Sequence, residues 1–199
     1  MQKIAIRITP ADHGKPMSLD DFDQAEVQEG YLYELSRGIV TVAGKSGIQH
    51  LRQILAIRRQ LEAYDRAHPG RIVSIAAVNR CKIPLIDLQS QRRPDLAVHR
   101  NLAPDEVDVW GYWTPELVIE VVTPESARRD YFEKPEEYLQ FGVLEYWIVD
   151  AQRQEMLALR RRAGKWAERI VRPPEMYRSK SLGGFVLDSG AVFAAAGLA

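Results

Sequence analysis

Along this chain of 199 residues the apolar positions change period several times, and each change predicts an element. From Ser46 to about His68, residues Ile48, Leu51, Ile54, Leu55, Ile57 and Leu61 recur at helical spacing until Pro69 and Gly70, which predicts a long amphipathic helix. Ahead of it, "YLYELSRGIVTVAG" reads as two short strands around Ser36, Arg37 and Gly38, a hairpin pattern, and "SLDDF" reads as Ser18 capping a short helix. Behind it, "RIVSIAAV", "KIPLIDL" and "RPDLAVHR" are strand candidates. A second helical stretch runs from Ser126 to Phe141 and stops at Gly142, followed by the apolar strand "LEYWIVD". The tail reads as a hairpin, "QEMLALRRR" and "KWAERIV" around Ala163 and Gly164, then "FVLD" and a short apolar terminus.

Helix, strands, helix, strands in that order predicts an α/β or α+β fold, a mixed sheet carrying helices, with further hairpins toward both ends. No break in composition divides the chain. A single domain over residues 1–199 is expected, with residues 1–29 as an N-terminal extension holding the short helix.

One element is chemically out of place. In "ELVIEVVTPES", Leu117, Val118, Ile119, Val121 and Val122 have the composition of a strand buried on both faces, and Glu120 lies inside it. An ionised carboxylate taken out of water costs several kcal/mol unless a cation or strong hydrogen bonds compensate it. A second acid, Asp95 in "RRPDLAVHR", shares a strand face with Ala97 and His99, as Glu120 does with Glu116, Val118 and Val122. If the two strands are neighbours, the carboxylates converge. Two like charges brought together repel unless a cation lies between them, and a hard, oxygen-preferring ion such as Mg²⁺ or Mn²⁺ is the economical solution.

Charge and composition narrow the field only a little. With 27 basic and 27 acidic residues the net charge is zero, so the chain lacks the strong basicity that marks many nucleic-acid binders. Residues 151–180 carry nine basic against three acidic side chains, which suits either a phosphate-binding patch or a solvated hairpin face. The single Cys81 excludes an internal disulfide framework and a cysteine-based zinc site, and a small buried side chain is its expected role. No stretch approaches the roughly 18 apolar residues of a membrane span, and the N-terminus lacks a signal-peptide core. The expectation is a cytoplasmic protein with no membrane partner. Trp110, Tyr112 and Trp113, in a polar loop before the Glu120 strand, either stack on a base or cap the sheet.

The segments "YLYELSRGIV", "RRPDLAV", "PELVIEVVTPES", "RRDYFEKPEEYLQFGVLEYWIVD" and "SLGGFVLD", in that order from about residue 18 to 195, resemble the Uma2-like (DUF820) branch of the PD-(D/E)XK restriction-endonuclease-like nucleases. The resemblance implies a mixed β-sheet flanked by helices and a metal-dependent endonuclease acting on DNA phosphodiesters. It makes Asp95 and Glu120 metal ligands, with the backbone carbonyl of Val121 as a third and Mg²⁺ or Mn²⁺ as the cofactor. It makes Lys134 the catalytic lysine, moved from the usual position two after the acid, which is Val122 here, onto the following helix within Asp130-x-x-x-Lys134. Glu34 and His50 match supporting positions of the family. Pro135, directly after Lys134, and "AGKSG" before His50, with Lys45 a candidate phosphate contact, depart from the pattern. Cutting both strands of a duplex takes two sites, so a homodimer is expected. The alternative is a nuclease-fold module without chemistry, binding DNA or protein in a mobile-element or defence setting.

Overall fold

The computed structural model describes residues 6–44, 47–105 and 109–197. The expected helix start at Ser46, the proposed contact of Lys45 and the centre of the acidic loop before Trp110 lie outside the described residues.

A short β1 (Arg7–Ile8) pairs in parallel with β2 (Glu26–Val27), and between them Ser18 caps α1 (Leu19–Gln24) by accepting the Asp21 N–H. The predicted hairpin is β3 (Leu32–Ser36) and β4 (Ile39–Ala43). The long helix α2 spans Ile48–Ala67. There follow β5 (Ser74–Ala76), β6 (Ile83–Leu85), β7 (Ser90–Arg92), β8 (Leu96–His99) and the acid-bearing β9 (Leu117–Val121). A π-helical turn, Arg129–Glu133, runs into α3 (Lys134–Phe141), and α3 leads to β10 (Glu145–Asp150). The tail is β11 (Glu155–Arg162), β12 (Lys165–Val171), β13 (Met176–Arg178), β14 (Val186–Asp188) and α4 (Ser189–Ala194).

The main sheet has six strands in the order β12-β11-β10-β9-β8-β5. Only β9 and β10 are parallel within it, which requires the crossover that α3 supplies. Because both faces of the sheet are covered, β9 is buried at all five positions. On one face Leu96, Val98, Leu117, Ile119 and Trp147 pack with Ile57 and Leu61 of α2 and with Phe185, Leu187 and Phe193 of the tail. On the other, Ala97, Val118, Tyr146 and Ile148 pack with Tyr138 of α3. A second sheet, β4-β3-β7-β6, lies beside the first.

Three details differ from expectation. Helix α2 buries Gln53, Ile57 and Leu61, but Ile48, Leu51 and Leu55 are exposed, so its apolar stripe is wider than the surface it covers. "KIPLIDL" is a strand only over β6 and then a 3-10 turn, while the polar "SQR" forms the unforeseen strand β7. The C-terminal hairpin, turning through Ala163 and Gly164 at positive φ, is the outer edge of the main sheet. Cys81 is buried, as expected.

Candidate active site

Strands β8 and β9 pair antiparallel with Leu96 opposite Ile119 and Ala97 opposite Val118. One more step of that register sets Asp95 against Glu120, on the face that carries Ala97 and Val118. Both acids therefore sit at the same end of the sheet on the same side, and the Asp95 N–H lies 3.4 Å from Glu120 Oε2. They are 8% and 4% exposed, low enough that every oxygen must be accounted for.

The accounting divides each carboxylate in two. Asp95 Oδ2 accepts the Val121 N–H at 2.8 Å and lies 3.1 Å from His50 Nε2. Glu120 Oε1 accepts Lys134 Nζ at 2.9 Å and the Tyr138 hydroxyl at 2.7 Å. Asp95 Oδ1 makes no hydrogen bond among the described residues, and Glu120 Oε2 has only the long contact from Asp95 N. Each acid thus has one oxygen anchored by protein donors and one left over.

The expected site residues converge here. Lys134 is 4% exposed, and its ammonium lies 2.8 Å from Asp130 Oδ1 and 3.9 Å from Glu34 Oε1 besides its bond to Glu120. Pro135 does not expel it. The widened turn over Arg129–Glu133 accommodates the missing proline N–H, Lys134 keeps right-handed helical torsions, and Asp130 and Lys134 stay on one side of the helix. Asp130 is itself fixed by the Ser126 hydroxyl at 2.5 Å. Of the set, Glu34 is most remote: its Oε1 accepts the Arg93 N–H at 2.9 Å, and its other oxygen faces Arg92 at 3.5 Å.

Electrostatics follow from this packing. Burial pushes the Glu120 carboxyl up to about 8, with Asp130, Asp95 and Glu34 adding to the effect against the pull of Lys134. Burial alone would lower Lys134, yet Asp130, Glu120 and Glu34 together hold it well above the usual lysine range. Burial likewise opposes charge on His50, but the hydrogen bond and charge of Asp95, helped by the Val121 backbone, raise its pKa. Glu34, despite burial, is lowered by Lys134, Arg92 and the Arg93 N–H.

Two contributors have no sequence signature of their own. Tyr138 reads as core, and its ring does pack edge-on against Tyr146, but its hydroxyl points at Glu120. Arg92 is fully buried and forks onto Glu137 of α3 at 2.6 and 2.9 Å, with Ser36 at 2.8 Å. Its position opposite Glu34 follows from the β3–β7 pairing of Leu35 with Gln91, which sequence periodicity did not expose. The aromatic loop resolves mostly as packing: Trp113 stacks on His99 at 3.9 Å and bonds the Asn101 carbonyl, Trp110 packs against the core, and Tyr112 is exposed.

A mixed sheet with a βαβ crossover, flanked by helices, defines an α/β fold. A crystal structure of a "putative nuclease belonging to DUF820" from Anabaena variabilis ATCC 29413 has a similar fold, with a TM-score of 0.74 over 91% of this chain and 99% of that one, at 16% sequence identity. The model of the Uma2 family, described as "Putative restriction endonuclease", matches residues 19–190, and the chain belongs to that family. This membership supports a nuclease-like function. No curated protein matches the chain.

Proposed function

We propose that the protein is a metal-dependent endonuclease hydrolysing DNA phosphodiester bonds at the Asp95–Glu120 pair. The observation that carries this reading is the split of each carboxylate into an anchored oxygen and a leftover one, on neighbouring strands at the same end of the sheet. Leftover Asp95 Oδ1 and Glu120 Oε2 are hard donors, and the Val121 carbonyl belongs to the residue whose N–H Asp95 already grips. Among the described residues no three His, Cys, Asp or Glu side chains form a ready-made cage. Such a sparse set suits Mg²⁺ or Mn²⁺, ions of the kind that bind through one or two carboxylates and keep several waters for substrate to replace.

A divalent ion held there supplies Lewis acidity toward a phosphodiester and acidifies water near it. The protein's own part is positional. His50 and the Val121 N–H orient Asp95; Tyr138 and Lys134 orient Glu120. Lys134, an ammonium among three carboxylates, offsets negative charge developing on a phosphate rather than removing a proton. Asp130 and Glu34 hold that ammonium in place. Cleavage of both DNA strands brings two copies of the chain together as a homodimer.

The test is a titration of Mg²⁺ and of Mn²⁺ into wild type and Asp95→Ala, following thermal unfolding and plasmid nicking in parallel. Wild type gains several degrees and nicks DNA, and Asp95→Ala does neither. Wild type that neither shifts nor nicks would leave the chain a binding module on the nuclease fold, a role in keeping with Val122 in place of the usual lysine.

A further inference from the structure

Two cavities meet at the Thr123–Pro124 turn, immediately beyond β9. One, of about 420 Å³, lies between that turn and the start of α2, lined by Gly44, Gly47, Gln49, His50, Gln53 and Gln152 among others. The other, of about 350 Å³, lies across the turn and includes Arg128, Tyr131, Phe132 and Arg153. They share Val122, Thr123, Pro124 and Gln152, so they flank the same turn. His50 lines the first cavity and touches Asp95, which places that cavity beside the acidic pair.

The two cavities differ in chemistry. Among the described residues lining the first cavity there is no lysine or arginine and one carboxylate, Glu125, while three neutral amides, Gln49, Gln53 and Gln152, are present. Gln53 is the telling one. It is 1% exposed, one helical turn from His50, and its amide nitrogen has no hydrogen-bond partner. A buried donor without an acceptor is disfavoured, and evolution of a core position ordinarily places an apolar residue there. A cavity whose described polar lining is mostly amide, with one amide nitrogen unsatisfied, fits a ligand bearing donors and acceptors in one plane, the pattern of a nucleobase edge. The second cavity carries rings and charges of both signs: Arg128 is largely exposed with Glu133 at 3.6 Å, Arg153 lies 4.8 Å over the Tyr131 ring with Asp150 at 3.5 Å, and Phe132 is 79% exposed.

We propose that the cavity beside His50 is a nucleobase subsite, in which Gln53 bonds the edge of an unpaired base next to the scissile phosphate, while Arg128 and Arg153 take phosphates farther along the same strand. This deepens the endonuclease reading and rests on it for the position of the cut. It also states a substrate class: DNA that is single-stranded, or opened, at the nucleotide next to cleavage.

The experiment measures binding without cleavage. A fluorescein-labelled single-stranded 12-mer is titrated with full-length protein in EDTA by fluorescence anisotropy, and an abasic residue is walked along it one position at a time. Wild type should lose roughly tenfold in affinity at one or two positions and little elsewhere, the scale of a single base contact. Gln53→Leu, close in volume, should lose a similar factor on the intact strand and nothing further at those positions. Gln152→Ala, at an exposed position, tests the same cavity with no risk to folding and should reduce the abasic penalty at the same positions. A flat abasic scan, no binding of the 12-mer by wild type, or an undiminished penalty in both variants would overturn the subsite. The metal titration of wild type and Asp95→Ala separates the two readings, because a metal shift alongside a flat scan removes the subsite and leaves the metal site standing.

Discussion

At the scale of single residues the site is made by donors that lock one oxygen of each acid. Tyr138→Phe removes one of the two donors to Glu120 Oε1 while keeping the ring against Tyr146. A hydrogen bond to a buried carboxylate is worth about 1.5–3 kcal/mol, so urea unfolding of the variant should show a loss of that size. A loss under about 0.5 kcal/mol would mean the tyrosine only packs. His99 provides a second residue-level test. Burial pushes its imidazole down to about 4, against the small opposing effect of its bond to the Trp113 carbonyl. Since the unfolded chain takes up this proton at its ordinary value near 6.5 and the folded chain only near 4, His99 costs no stability above about pH 6.5. Stability should then fall as pH drops through the window between the two values, by on the order of 3 kcal/mol in total, and level off below it. His99→Gln should flatten that part of the acid limb in denaturant melts taken from pH 7 to pH 4. An unchanged limb would show that other groups set it.

At the scale of elements, the second sheet matters because β7 carries Arg92 into the face of α3. Its guanidinium has no exposed surface and is met by Glu137, Glu34, Glu133 and Ser36, so it ties the hairpin β3–β4, strand β7 and helix α3 into one unit around Lys134. Removing one partner of such a buried pair strands the other charge, at a cost of about 3–5 kcal/mol. Arg92→Leu should therefore destabilise strongly, and Arg92→Leu with Glu137→Leu should recover a large part of the loss in a double-mutant cycle of unfolding free energies. Additive single losses would show that the tie is not a pair. The same element explains how Lys134 survives next to proline: the wide turn before it absorbs the missing donor, and Gly142 at φ +102° closes the helix by an ordinary left-handed cap.

At the scale of the whole molecule, the endonuclease reading proposed above gives each chain one acidic pair, beside the cavity that His50 lines, and so one strand cut at a time. The homodimer proposed for double-strand cleavage should appear in sedimentation velocity at micromolar concentration, and a monomer across that range would remove it. Much of this molecule was legible in its sequence. The period of the apolar residues marked α2, the Ala163–Gly164 hairpin and the helical run ending at Gly142, because local torsional preference and burial of one face leave a one-dimensional trace. Glu120 stood out because a charge in a doubly buried strand is anomalous wherever the strand lies, and the resemblance supplied Lys134, Asp130, His50 and Glu34. The contacts of Tyr138 and Arg92 and the burial of the Gln53 amide left no such trace. Each of these residues has a side chain whose apolar part or helical position suits a core, and only the register of β3 with β7, the crossover of α3 over β9 and the seating of α2 decide which atoms its polar end meets. Periodicity along a chain records which face is buried; the partner of a buried polar group is chosen by contacts between segments far apart in that chain, and those exist only once it has folded.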